Sequence, residues 1–255
     1  MFWTSEYFQV YATSVYALSY FVLFGVIFYY TLKGVHIDLV DSFRLFGWFA
    51  FLHGIADTLS IFCSGPLRQS IVFCYLRTGF DFASVALLMA FCVKILVRDD
   101  EVRVHLNKYF YLVYAASAAF VLILLMFEQP SEVTVFIAVY FGFPVFMMTG
   151  AAFFLLARHS RTVIIKRLHF AFNGIALCFA VFALLKAVRG SVDGETAVAV
   201  IRILRTATAL SLAGFTAVGL SRLKATARPL EAVPASPRAL SVLRQGLRKG
   251  GQGGD

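Results

Sequence analysis

The sequence has no polar segment long enough to fold as a domain of its own. Between its apolar runs no connection exceeds about a dozen residues, so the 255-residue chain reads as one integral membrane domain. Its four cysteines show no metal-ligand spacing, and of its five histidines only His53 lies at the middle of an apolar run. His169 falls near the edge of another, and His36, His105 and His159 fall in or beside loops. A b-type haem, which needs paired mid-membrane histidines on different helices, is thereby excluded. There is no Gly-x-Ser-x-Gly elbow for a serine hydrolase. Asp57 and Asp81 are intramembrane aspartates, but Gly79-Phe80-Asp81 lacks the glycine that directly precedes the aspartate of a Gly-x-Gly-Asp protease. The last apolar run has no central lysine to form a Schiff base with retinal. The reading is of a protein that is not an enzyme, with no cofactor and no metal. No internal repeat of the kind that marks many secondary transporters is visible. The N-terminus also lacks a basic stretch followed by a small-residue cleavage site, so the first apolar run is expected to remain as a helix.

What is present is apolar length. Hydrophobic residues make up 60% of the chain, against about 45–50% in a soluble domain. A hydrocarbon core of roughly 30 Å is crossed by about 20 apolar residues in a helix. Seven such spans are expected, over 9–32, 43–63, 71–97, 108–127, 133–157, 166–188 and 196–221. The fold class is an all-α integral membrane bundle of seven transmembrane helices over residues 1–221, followed by a basic tail over 222–255 that contains proline and glycine.

Lysine and arginine in short loops set orientation. They gather after the first span (Lys33, Arg44), the third (Arg98, Arg103, Lys108), the fifth (Arg158, Arg161, Lys166, Arg167) and in the tail. The opposite loops carry Arg68 and Arg189 and the acidic Glu128 and Glu132. This places the N-terminus outside and the C-terminus in the cytoplasm. The net charge of +9 is then a topological asymmetry attracted to anionic headgroups, and it requires no nucleic acid.

Smaller features follow the same frame. Tyr7, Tyr11, Tyr29, Tyr30, Trp48 and Tyr109 near span ends suit interfacial anchoring. Pro144, between Gly142 and Gly150, predicts a kink or a close helix approach in the fifth span. Cys92 and Cys178 read as packing residues. Cys63 and Cys74 flank Ser64-Gly65-Pro66 at the outer ends of two antiparallel spans, where free thiols and a disulfide are both compatible with the sequence. In the tail, Arg238 to Lys249 reads either as a short surface helix with Leu240, Leu243 and Leu247 on one face or as disordered chain.

Charge inside the spans marks where function is to be sought, because it is costly there. His53, Asp57 and Ser60 share one face of span 2 by their spacings of four and three. Arg77, Asp81 and Ser84 do the same on span 3, and Arg202, Arg205 and Thr206 enter span 7, with Lys186 at the outer end of span 6. Helix rise puts all of these in the outer half of the membrane. Arg77, Arg202 and Arg205 against Asp57 and Asp81 leave one positive charge in excess, with His53 neutral. One reading is an ion-pair network, Arg77–Asp57 and Arg202–Asp81, that fixes helix register. The other is an outward pocket of His53, Asp57, Arg77, Asp81, Arg202 and Arg205 whose spare guanidinium takes a carboxylate or a lipid headgroup, or which moves protons or ions.

The stretch Leu45-Phe46-Gly47-Trp48-Phe49-Ala50-Phe51-Leu52-His53-Gly54-Ile55-Ala56-Asp57 resembles the His-Gly-x-x-Glu segment in multi-span sensory regions of bacterial membrane histidine kinases and diguanylate cyclases. His53 and Gly54 match; Asp57 stands where glutamate is usual, and Thr58 where tryptophan often follows. The resemblance covers about twenty residues and implies a receptor-like sensory module in the bacterial inner membrane, in which His53 and Asp57 shape a signal site. No kinase or cyclase segment accompanies it here, so signal transduction would pass through a partner chain at the cytoplasmic face. The alternatives are a small transporter or ion- or proton-conducting protein, and a structural or assembly subunit of a membrane complex.

Overall fold

A computed structural model describes residues 6–32, 38–63, 71–97, 100–163, 166–188 and 195–231. Lys33, Arg68, Arg98 and Arg189, the Ser64-Gly65-Pro66 turn and the Arg238 to Lys249 segment lie outside the described residues. All regular structure among the described residues is helical: α1 (Glu6–Leu32), α2 (Asp38–Cys63), α3 (Ile71–Leu96), α4 (Asp100–Phe127), α5 (Pro130–Phe136), a π-helical segment (Ile137–Gly142), α6 (Phe143–Val163), α7 (Lys166–Val188) and α8 (Glu195–Glu231). Six stretches of these helices are long and apolar enough to cross a membrane, the fifth of the expected spans being read through α5, the π segment and α6 as Glu132–Arg158. The apolar part of α4 is shorter, Leu112–Phe127. This is the construction of a multi-pass membrane protein.

Helices α1, α2, α3, α6, α7 and α8 close a ring in which each packs on the next and α8 returns to α1, while α4 lies outside against α3 and α5. The direction of α6 follows from its contacts. Thr78 near the start of α3 lies 3.0 Å from Thr134 Oγ1 of α5, and Cys92 near its end lies 2.9 Å from Thr149 Oγ1 of α6. Helix α3 and the α5–α6 span therefore run parallel and in step, and α4 carries the chain back along the bundle between them.

One half of the ring is filled by phenylalanine. Phe43, Phe46, Phe49, Phe91, Phe153 and Phe179 are all buried, and the planes of Phe46 and Phe49 lie within 7°, those of Phe153 and Phe179 within 6°. In lipid, helices associate through such packing and not through water-driven burial, and small residues set how closely they approach. At Gly150 an added Cβ would stand 3.2 Å from the Ala176 carbonyl oxygen, and at Gly174 it would meet Phe215.

Two expectations need amendment. The fifth span is interrupted: the Phe143 N–H bonds the Ala138 carbonyl, five residues back. Pro144 supplies the reason, since it has no N–H to give and crowds the preceding turn, and widening that turn accommodates it. The close approach expected beside Pro144 is also found, at Gly150. Finally, α8 continues to Glu231, beyond the expected boundary at Ser221, because Leu223-Lys224-Ala225 and Ala227-Arg228 are good helix formers.

Candidate functional site

Toward the end of the bundle where α2 stops and α3 begins, the aromatic filling gives way to charge. His53 of α2 is buried at the centre. Gly54 beside it leaves room for the Phe21 ring, 3.1 Å from where a Cβ would be, and so lets α1 approach closely. That approach brings Tyr20 against the imidazole, with ring centroids 4.6 Å apart, while Phe49 stacks on it at 5.4 Å.

The imidazole lies between two carboxylates. Its Nδ1 is 3.1 Å from Ser84 Oγ and 3.4 Å from Asp81 Oδ1, both on α3. Its Nε2 is 3.7 Å from Asp57 Oδ2, one turn along α2. Ser84 donates its single hydroxyl proton to the Asp81 carbonyl at 2.7 Å, so its oxygen can only accept from His53. That assigns the proton of the neutral imidazole to Nδ1 and leaves a bare lone pair at Nε2. Neither His53 Nε2 nor Asp57 Oδ2 has a hydrogen-bond partner among the described residues.

Among the described residues, each carboxylate has one lysine or arginine within ion-pair distance. Lys186 of α7 reaches Asp81 Oδ1 at 3.9 Å, its Nζ 5.6 Å from the Phe146 ring centre and its stem passing Gly142 of the π segment. Arg205 of α8 reaches Asp57 Oδ1 at 3.8 Å and lies over the Tyr16 ring at 4.5 Å. Tyr16 and Tyr20 hydroxyls are 3.2 Å apart. Both ion pairs are longer than a hydrogen bond, so charge, and not directed bonding, holds these partners.

Lys186 and Arg205 also line a cleft of about 110 Å³ with Phe182 and Leu185 of α7 and Val198, Ile201 and Arg202 of α8. No carboxylate among the described residues lies within ion-pairing distance of Arg202, whose charged neighbour is Arg205. Lys186, Arg202 and Arg205 against Asp57 and Asp81 again leave one positive charge over, now at the cleft wall.

Of the residues singled out in the sequence, His53, Asp57, Asp81 and Arg205 are brought together and Arg202 joins at the cleft. The expected pairs are corrected: Asp57 faces Arg205 and not Arg77, and Asp81 faces Lys186 and not Arg202. Arg77 lies against the Cys63 thiol within electrostatic range of Asp81 and is not among the cleft-lining residues. Ser60 Oγ turns back to the Asp57 carbonyl at 2.6 Å, and Thr206 to that of Arg202 at 3.0 Å. No disulfide joins Cys63 and Cys74, whose thiols lie against each other, and the buried Cys92 and Cys178 are likewise unbridged. His169 is structural: its Nδ1 donates to Ala157 O at 2.8 Å and Asn173 donates to its Nε2 at 2.9 Å. Tyr16, Tyr20 and Phe146 were missed; the four-residue spacing of Tyr16 and Tyr20 deep within α1 was the available signal. No group of three or more His, Cys, Asp or Glu suited to a metal occurs among the described residues.

No protein-family model, no curated protein and no solved structure matches the chain.

Proposed function

We propose that the protein is a membrane sensory or regulatory protein that binds an anionic ligand, a small oxyanion or a lipid headgroup, in the cleft between α7 and α8. It signals through a partner chain at its cytoplasmic face. The observation that carries this reading is the cleft wall itself, where Lys186, Arg202 and Arg205 converge and Arg202 has no carboxylate among the described residues to neutralise it. A guanidinium held half-buried without a counter-charge favours an anion. Asp57 and Asp81, with His53 between them, lie behind that wall and are linked to it through Arg205 and Lys186, so a bound ligand would act on them through those two cations. The membrane topology proposed with it is seven-span, with the N-terminus outside, in a bacterial inner membrane. The parallel run of α3 and α5–α6 supports that count, because α4 must then traverse the bundle, and the placement of lysine and arginine supports the orientation. A transport role is the second reading, favoured by the contact of the Lys186 stem with the π segment, since π turns recur at functional sites.

Native mass spectrometry of protein purified in mild detergent, wild type against Arg202→Gln/Arg205→Gln, tests the proposal. An anionic molecule retained by wild type and lost in the variant is the expected result. Ligand retained unchanged by the variant, or sulfate that binds neither form, sinks it. Flux of radiolabelled sulfate into liposomes holding the protein would move the transport reading ahead.

A further inference from the structure

The centre of the charged layer holds two polar atoms that the anion reading alone does not use. His53 Nε2 and Asp57 Oδ2 are both buried, both lack a hydrogen-bond partner among the described residues, and face each other at 3.7 Å. Two lone-pair atoms so placed repel, and one proton between them converts the repulsion into an attraction that draws the pair in from 3.7 Å toward a charge-assisted hydrogen bond. The tautomer is fixed by Ser84, whose hydroxyl proton is committed to the Asp81 carbonyl, so the imidazole can take that proton only at Nε2.

The surroundings decide what protonation does. From α1 the imidazole meets Tyr16 and Tyr20, from α3 Asp81 and Ser84, and from α6 the Phe146 ring. Arg205 from α8 acts on it through Asp57, Lys186 from α7 through Asp81, and Arg77 and Arg202 stand one residue further off. Among the described residues, Arg205 is the cation that both faces Asp57 and lines the cleft. An imidazolium at His53 satisfies Asp57 from within α2, so the hold of Asp57 on Arg205 weakens and the guanidinium turns its charge to the cleft.

We propose that His53 and Asp57 form a proton-binding site coupled to the cleft, so that an anion is taken up together with a proton. This rests on the cleft being an anion site. Linkage makes the coupling reciprocal: acid tightens the anion, and the anion draws in the proton.

Sulfate is the probe, because its own charge is constant across the range in which an imidazole titrates. Isothermal titration of sulfate into the detergent-solubilised full chain is run between about pH 8 and about pH 5.5, in buffers of different ionisation enthalpy. The expected result is affinity rising roughly tenfold toward acid, with uptake of up to about one proton per sulfate. In His53→Gln the affinity is expected to lose its pH dependence while sulfate still binds. The wild-type proton count stands without any variant, so a poorly folded His53→Gln does not remove the test. Sulfate binding with flat pH dependence and no proton uptake overturns the proton site and leaves the cleft standing. No sulfate binding by wild type at any pH removes the cleft reading, and this inference with it.

Discussion

The two halves of the helix ring are held by opposite means. In one, Phe43, Phe46, Phe91, Phe153 and Phe179 fill the space between helices with rings at 5.2–6.2 Å centroid separations and no polar atom to satisfy. In the other, the same helices α2, α3 and α7 present His53, Asp57, Asp81 and Lys186, set 3.4–3.9 Å apart, with two buried atoms that have no hydrogen-bond partner among the described residues. Close packing has one good arrangement and resists change. Loosely paired charges have several of similar energy, which is what a site that exchanges partners requires. The phenylalanine half fixes the bundle; any rearrangement of the proposed kind would fall to the charged half.

Four substitutions sharpen or break this contrast. The largest effect is expected from Phe46→Ala, which opens a cavity among fully buried rings and costs about 4 kcal/mol, read as a lowered midpoint in denaturing-detergent titration. A cost well under that would mean the aromatic half is as adaptable as the charged one. Next, Asp81→Leu removes the carboxylate that faces the buried Lys186 and is expected to cost about 3 kcal/mol. Adding Lys186→Met in the same chain is expected to restore most of it, since a buried pair replaced by apolar residues is often neutral. Failure of the second change to rescue the first would make the pair a structural tie and not an exchangeable contact. The smallest effect is expected from Thr149→Val, which removes the Cys92–Thr149 contact between α3 and α6 and costs about 1 kcal/mol in the same titration.

The helices were legible in the sequence because each is a long apolar run, and a run that long in lipid has one low-energy form. Their ring order was not, since nothing in the spacing of Thr78 or Cys92 tells which neighbour will lie alongside. The site was half legible. Depth along a helix can be counted, and it brought His53, Asp57, Asp81 and Arg205 to one level. Direction cannot be counted so simply. Arg77 shares that depth but lies against Cys63, while Lys186, two residues from the end of α7, extends its flexible stem down to Asp81. Tyr16 and Tyr20 were obscured by their residue type, because tyrosine in a membrane chain usually marks an interface and here both are buried in the core.

The π segment has a geometric consequence of its own. Each residue of an α-helix advances the chain by about 100° of rotation, so a turn closed five residues back, as at Ala138 and Phe143, resets the angular phase of everything beyond it. Thr134 and Ile137 are aimed by one phase, Phe146, Thr149 and Phe153 by another, and a single rod could not serve both sets of neighbours. Drawing that turn back to α-helical closure would swing the two halves against each other by roughly a quarter-revolution. The joint lies beside the Lys186 stem at Gly142, which makes the span a two-piece shaft with its coupling set at the charged layer.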